Sequence, residues 1–170
     1  MKSSPRPGSF QGASAEKKRM SVDDLRGRLL IDTNVLIYAT LAGDARHALA
    51  RQVLALRQRP EVELFVSVQN LAEMYPNLTG PKNQPPDSPA LAREKIASLS
   101  RLRGLTVLPL TLETLHHSLA LCGEDGVTRQ NYFDRQLAAL MQREGIPVIL
   151  TENVKDFVGI DGISALNPFE

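Results

Sequence analysis

Acidic residues recur along this 170-residue chain where a predicted strand passes into a helix or a helix begins. They are Asp32, Glu73, Asp134, Glu152 and Asp156. In a sheet of parallel strands, the carboxyl ends of the strands meet at one edge, where ligands bind. Carboxylates gathered there repel one another, each close pair by about 4 kcal/mol at an effective dielectric constant of about 20. Such a cluster is suited to a hard divalent cation, which prefers oxygen ligands.

Each of these acids also has a purely structural explanation. Asp32 can cap the helix that it opens, and Asp134 lies in a first helical turn, where the helix dipole favours a carboxylate. However, Asp32 and Thr151 both come directly after core strands. Helix capping alone does not explain that coincidence, so a shared site is the better interpretation.

Strands and helices alternate along the chain. The predicted strands are Leu29–Ile31, Leu64–Val66, Thr106–Leu108, Val148–Leu150 and, at an edge, Ile163–Leu166. The predicted helices run from Asp32 to about Leu41, from Asp44 to about Leu56, from Ser67 to Tyr75, from Ser88 to about Arg103, from Thr111 to about Cys122 and from Tyr132 to Glu144. This alternation predicts an α/β fold, a three-layer α/β/α sandwich around a mainly parallel sheet of four to five strands.

Proline residues set two of the predicted helix ends. Pro76 predicts that the third helix ends at Tyr75, because proline disfavours the helical conformation in the residue before it. Ser88 followed by Pro89 is typical of a helix N-terminus. Residues 76–89 between them form a long Pro-rich loop, and long loops in compact domains are often functional.

The composition is ordinary for a soluble globular protein, with 42% hydrophobic and 23% charged residues. No apolar run approaches the length of a membrane span, so we expect no membrane partner. The single cysteine, Cys122, excludes an internal disulfide framework. A reducing, cytoplasmic location is therefore expected.

Charge is unevenly distributed. Residues 1–20 contain five Lys or Arg and one Glu, a net charge of +4, and because the whole chain carries +1 the other 150 residues sum to −3. Residues 1–25 are predicted to form a disordered basic tail, and residues 28–169 a single domain. A basic tail can contact nucleic-acid phosphates. Alternatively, Met20 is the true start and residues 1–19 are leader sequence.

The segments that carry the acids resemble, in order, the four acidic motifs of PIN-domain nucleases. They read LLIDTNVLIY, VSVQNLAEMY, NYFDRQLAAL and VILTENVKDF. Within that family they are most similar to the VapC-type toxins of bacterial toxin–antitoxin pairs, and the closing IDGISALNPF is similar to the end of one VapC-like branch. The resemblance covers residues 28–169. It implies a PIN-like sandwich, Mg²⁺ or Mn²⁺ dependence, an RNA substrate, a homodimer and a cognate antitoxin protein in the active-site groove.

The resemblance also assigns roles to individual residues. Asp32, Glu73 and Asp134 match the principal catalytic acids, which hold the metal ion. Asn34 and Thr151 match polar residues that support this cluster or the attacking water. The resemblance therefore implies an endoribonuclease whose metal site is built on three acids.

The fourth motif departs from the family pattern. Relatives often have Thr-Glu-Asp where this chain has Thr151-Glu152-Asn153. Asn153 is a neutral oxygen donor and a weaker metal ligand than a carboxylate, with Glu152 as a supporting residue. Asp156 is a candidate for the missing charge. One metal site is therefore expected, and a second stays open.

Binding RNA requires positive charge around the acidic pocket. Lys82 in the long loop and Arg129 before the third motif are the first candidates for phosphate contacts, followed by Arg46 and Arg135. The alternative is that each is an ordinary solvated surface residue. The sequence does not identify the RNA, because recognition depends on loop geometry.

Three other functions are alternatives to this one. A PIN nuclease of RNA processing outside toxin–antitoxin systems carries the same motifs. A non-catalytic RNA- or protein-binding module is possible if the metal site has decayed at Asn153. A haloacid-dehalogenase-like phosphatase requires a second Asp two residues after Asp32, where this chain has Asn34. For the dimer interface, the first two helices are the candidates.

Overall fold

Five parallel strands form the centre of the molecule. The computed structural model describes residues 21–170. The strands are β1 (Gly27–Ile31), β2 (Val62–Ser67), β3 (Leu105–Leu108), β4 (Val148–Leu150) and β5 (Ser164–Leu166). They lie in the order β3-β2-β1-β4-β5, and every neighbouring pair is parallel. The predicted α/β class, the parallel sheet and the position of the fifth strand at an edge are confirmed.

Helices cover both faces of this sheet. They are α1 (Thr33–Thr40), α2 (His47–Ala55), α3 (Val68–Thr79), α4 (Pro89–Ser100), α5 (Leu112–Asp125) and α6 (Tyr132–Glu144). Side chains alternate between the faces of a strand. Accordingly, Leu29 and Ile31 pack with α1 to α4 in one hydrophobic cluster, and Leu30 packs with α6 in a second. Within residues 21–170, no helix has the length and apolar character needed to cross a bilayer.

The third helix continues through Pro76, so the prediction that it ends at Tyr75 was wrong. Proline lacks a backbone N–H donor and costs a helix interior about 3 kcal/mol. However, Leu78 in the following turn is fully buried. In addition, the Asn77 and Thr79 side chains donate hydrogen bonds to backbone carbonyls of the preceding turn. Burial of Leu78 together with these hydrogen bonds outweighs the cost of the proline.

The second helix begins later than the predicted Asp44, which does not cap it. Helix α2 begins at His47, and the residue before it, Arg46, makes no side-chain capping bond. The Asp44 carboxylate instead accepts hydrogen bonds from the backbone N–H and the guanidinium of Arg46. An arginine two residues away is a stronger, charge-assisted donor than the backbone of the first helical turn.

The predicted tail extends too far towards the domain. Its first 20 residues lie outside the described range, but the last five are ordered. Ser21 caps a short 3-10 helix, Val22–Asp24. The side chains of Val22 and Leu25 are buried in the first hydrophobic cluster. Burial of these two apolar side chains therefore orders residues 21–25.

Candidate active site

Strand register brings the first and fourth acidic segments together. Strands β1 and β4 pair Ile31 with Leu150, so Asp32 and Thr151, the next residues, are neighbours. The Thr151 hydroxyl donates a hydrogen bond to Asp32 Oδ2 at 2.6 Å. Asn34 Nδ2 donates to Asp32 Oδ2 at 2.9 Å and to Thr151 Oγ1 at 3.1 Å. Asn34 and Thr151 therefore hold one oxygen of Asp32 in place.

The second oxygen of Asp32 caps helix α1. Asp32 Oδ1 accepts a hydrogen bond from the backbone N–H of Thr33 at 2.7 Å and one from Asn70 Nδ2 at 3.4 Å. Burial raises the pKa of Asp32, and the hydrogen bonds from Thr151, Thr33 and Asn34 offset part of that rise. Asp32 can therefore both cap helix α1 and belong to the candidate active site, because its two carboxylate oxygens have separate partners.

Glu73 lies on α3 and is joined to Asp32 through hydroxyl and amide groups. Glu73 Oε2 accepts a hydrogen bond from the Thr33 hydroxyl at 3.3 Å, and Oε1 accepts one from Gln69 Nε2 at 2.8 Å. Asn70 Nδ2 donates to Thr33 Oγ1 at 3.2 Å. Burial, followed by the nearby charge of Asp32, raises the pKa of Glu73.

Sequence reasoning missed two polar residues of this site, Gln69 and Asn70. Asn70 is fully buried and Gln69 is 6% exposed. Gln69 Nε2 also donates a hydrogen bond to the carbonyl of Phe133 at 3.1 Å, next to Asp134. The available signal was spacing, because Gln69 lies one helical turn before Glu73 and so shares its face.

Asp134 lies in the first turn of α6. Burial raises the pKa of Asp134 from its ordinary value of 3.8 to about 6, and the negative charges of Asp156, Asp32 and Glu73 add to that rise. We call Asp32, Glu73, Asp134 and Asp156 the acidic cluster, since their charges interact across one end of the sheet.

The three candidates of the fourth motif lie in different surroundings. Glu152 Oε2 accepts a hydrogen bond from the Tyr38 hydroxyl, and Oε1 one from Arg46 Nη1, so its carboxylate is engaged by other partners. The Asn153 side chain is exposed. Asp156, in contrast, shares a cavity with Asp134.

That cavity contains positive as well as negative groups. It has a volume of about 160 Å³ and is lined by Val127, Asn131, Asp134, Arg135, Lys155 and Asp156. Arg135 Nη1 donates a hydrogen bond to the carbonyl of Asp156 at 3.1 Å, and Lys155 is exposed. The cavity therefore combines two cationic side chains with two carboxylates.

The two residues predicted to contact RNA lie at different places. Arg129 is exposed, in a 3-10 turn that directly precedes α6 and Asp134. Lys82 is exposed and lines a separate cavity of about 620 Å³, which contains no residue of the acidic cluster. Arg46, a further candidate, is occupied by the carboxylates of Asp44 and Glu152.

The chemistry of the acidic cluster fits a hard divalent cation. All its donors are carboxylate oxygens, the preferred ligands of Mg²⁺ and similar ions. Their mutual repulsion contributes to the raised pKa of Asp134, and a cation would relieve it. Among the side chains that the structure describes, no three Asp, Glu, His or Cys groups are arranged to hold a metal ion. The carboxylates are therefore suitable ligands by their chemistry, but binding an ion would require them to move closer together.

The raised pKa of Asp134 predicts that this residue lowers stability at neutral pH. A carboxyl group whose pKa is higher in the folded chain than in the unfolded chain loses stability as pH rises, here from about 4 through about 6. In metal-free buffer, Asp134→Asn should raise the melting temperature at pH 7.5 by about 2–4 °C, the effect of about 1 kcal/mol at this size. The increase should be smaller at pH 4.5, as measured by calorimetry.

The control for this experiment is Asp161→Asn, which alters an exposed carboxylate outside the acidic cluster. Its melting temperature should match that of the wild type at both pH values. Equal melting temperatures of Asp134→Asn and the wild type at pH 7.5 would contradict the predicted repulsion.

Comparison with known proteins identifies the family and the fold of this chain. Residues 29–162 match the PIN domain family. Similar solved structures include VapC20 from Mycobacterium tuberculosis, a sarcin–ricin loop cleaving toxin (20% identity, 80% of this chain and 98% of that chain, TM-score 0.59). A toxin–antitoxin complex from Klebsiella pneumoniae shares 22% identity over 84% of this chain and 98% of that one, with a TM-score of 0.54. VapBC-1 from nontypeable Haemophilus influenzae shares 20% identity over 85% of this chain and 100% of that one, with a TM-score of 0.59.

These structures share the fold of this chain, which spans nearly their whole length. No curated protein sequence matches the chain. The family match covers both strands that carry Asp32 and Thr151, and it also includes the helices of Glu73 and Asp134. The chain belongs to the PIN domain family.

Proposed function

We propose that this protein is a metal-dependent endoribonuclease and the toxin of a toxin–antitoxin pair. The observation that carries the proposal is the acidic cluster. Its four carboxylates come from four separate segments near one end of a parallel sheet, where burial and, after it, the charges of the other three acids raise the pKa of Asp134 to about 6. Such repulsion costs the fold stability, and a divalent cation bound among the carboxylates would relieve it.

Mg²⁺, or Mn²⁺ in its place, is the ion that these oxygen ligands suit. Asp32 and Asp134 would hold it, with Glu73 and Asp156 completing the negative surroundings. When bound, such an ion neutralises charge on the scissile phosphate and lowers the pKa of a coordinated water. Without an ion, the acidic cluster repels a polyanionic substrate, so binding and cleavage both depend on the metal.

The other residues of the site keep the acids in position. Thr151 and Asn34 hold Asp32, and Gln69 and Thr33 hold Glu73. Glu73 has a raised pKa, which improves its ability to take a proton from the attacking water near neutral pH. Because these hydrogen bonds exist before substrate arrives, little reorganisation is needed during the reaction.

RNA is the substrate that the surroundings favour. Lys155 and Arg135 lie beside Asp134 and Asp156 in one cavity, where they can contact phosphates on either side of the cleaved bond. Arg129 precedes the same helix and extends this basic edge, and Lys82 is a more distant contact for a longer RNA. VapC20 from Mycobacterium tuberculosis, which has the same fold, cleaves the sarcin–ricin loop.

The similar solved structures also support a proposal about the protein partners of this chain. The Klebsiella pneumoniae structure is a toxin–antitoxin complex, and we propose an antitoxin that binds this chain and blocks the acidic cluster. We also propose a homodimer in the cytoplasm. A PIN nuclease of RNA processing would have the same site but no antitoxin.

The alternative, a non-catalytic binding module whose metal site has decayed, is less well supported. It rested on Asn153, which replaces an expected acid. The Asn153 side chain is exposed, while Asp156 faces the cavity that contains Asp134. Asp156 therefore supplies the negative charge that Asn153 lacks.

Nuclease activity should depend on the acids and on metal. The purified chain should cleave structured RNA with Mg²⁺ or Mn²⁺ and stop when excess chelator is added. Asp32→Asn and Asp134→Asn should each reduce kcat/KM on the order of 100-fold or more, because several kcal/mol of transition-state stabilisation are lost. Asp161→Asn should leave the rate unchanged. Cleavage that persists in chelator, or in the double variant, would contradict the proposal.

Toxicity should separate the toxin from a processing nuclease. Induced expression of the wild-type chain in a bacterial host should arrest growth, and the folded Asp134→Asn variant should not, because it lacks nuclease activity. If a short reading frame adjoins the gene and encodes the antitoxin, co-expression of its product should restore growth. Normal growth of cells that contain soluble, active wild-type protein would exclude the toxin and favour RNA processing.

A further inference from the structure

We propose that Arg46 is a positioning residue for the active site, which holds Glu152 away from the acidic cluster and fixes the segment after β4. The proposal rests on the nuclease function proposed above. Arg46 comes from the loop before α2 and Glu152 directly follows Thr151, so the contact joins two distant parts of the chain.

Arg46 uses its whole guanidinium group in this contact. Nε and Nη2 donate hydrogen bonds to the two carboxylate oxygens of Asp44 at 2.9 and 2.8 Å. Nη1 donates to Glu152 Oε1 at 2.6 Å and to the hydroxyl oxygen of Tyr38 at 2.8 Å. The guanidinium carbon also lies 3.6 Å from the centre of the Tyr38 ring. Only a planar group with several donors can serve two carboxylates and an aromatic ring at once.

Glu152 is held at both of its oxygens. The Tyr38 hydroxyl donates a hydrogen bond to Glu152 Oε2 at 2.5 Å, while Arg46 holds Oε1. The backbone N–H of Glu152 donates to Asn34 Oδ1 at 3.3 Å. Because Asn34 Nδ2 donates in turn to Asp32 Oδ2, a continuous hydrogen-bond path leads from Arg46 to the first acid.

The main effect of this contact is on charge. An isolated surface ion pair contributes little to stability, and Arg46 and Glu152 are both about one third exposed, at 35% and 34%. However, Glu152 is a fifth carboxylate beside a site whose acids already repel one another. Arg46 neutralises it and turns it towards Tyr38. Without Arg46, the free carboxylate adds repulsion and loosens the segment that positions Thr151.

A suppressor experiment on the full chain tests this role. Arg46→Met should weaken Mn²⁺ binding, measured by calorimetry, on the order of 10-fold, the low end of the effects seen when a contact just outside the metal ligands is lost. It should lower kcat for RNA cleavage by a similar factor with KM unchanged. The Mn²⁺ affinity and kcat of Arg46→Lys should lie between those of the wild type and those of Arg46→Met, because lysine keeps the charge but lacks the guanidinium fork. Adding Glu152→Gln to Arg46→Met should restore most of the Mn²⁺ affinity, since it removes the unpaired charge.

A control variant and the separate effects on kcat and KM distinguish the possible roles of Arg46. Arg51→Met, an exposed substitution on α2, should change neither affinity nor rate. A raised KM with unchanged kcat in Arg46→Met would identify an RNA contact and overturn the proposal. Additive losses in the Arg46→Met, Glu152→Gln double variant would also overturn it. If the wild type cleaves no RNA, the nuclease function fails, while the Mn²⁺ affinities and melting temperatures of the same proteins still test the Arg46 contact.

Discussion

Repulsion among carboxylates at one end of the sheet is the constraint on which the rest of the site depends. Parallel strands place Asp32 and Thr151 side by side, and helices α3 and α6 add Glu73 and Asp134. Each close pair of charges costs about 4 kcal/mol at an effective dielectric constant of about 20. Hydrogen bonds to Asp32 and Glu73 offset part of this repulsion. A bound cation would offset more of it.

Buried polar side chains set the positions of the acids. Asn70 is fully buried and donates hydrogen bonds to both Asp32 and Thr33. Gln69 joins Glu73 to the backbone beside Asp134. Removing one member leaves the partner buried and unpaired, at a cost of about 1–3 kcal/mol. The hydrogen bonds of these residues connect the helices and strands around the site and thereby fix the positions of the acidic side chains.

Local patterns predicted most of the fold but not the contacts between distant segments. Helix α6 and strand β4 begin and end where the sequence predicts, because N-terminal signals, apolar spacing and Gly145 all act within a few residues. The predicted end of α3 was wrong, because the true end depends on burial of Leu78 in the tertiary structure. Likewise, the Glu152 carboxylate accepts a hydrogen bond from Arg46, which is 106 residues away in sequence. No short-range pattern predicts such a partner.

The central claim is that the acidic cluster binds a divalent cation, and calorimetric titration with Mn²⁺ tests it most directly. The wild-type chain at pH 7.5 should bind Mn²⁺, and Asp134→Asn should bind it at least about 10-fold more weakly, because one charged ligand becomes neutral. Asp161→Asn should bind it as the wild type does. Absence of Mn²⁺ binding to the folded wild type, or equal affinity in Asp134→Asn, would contradict the claim.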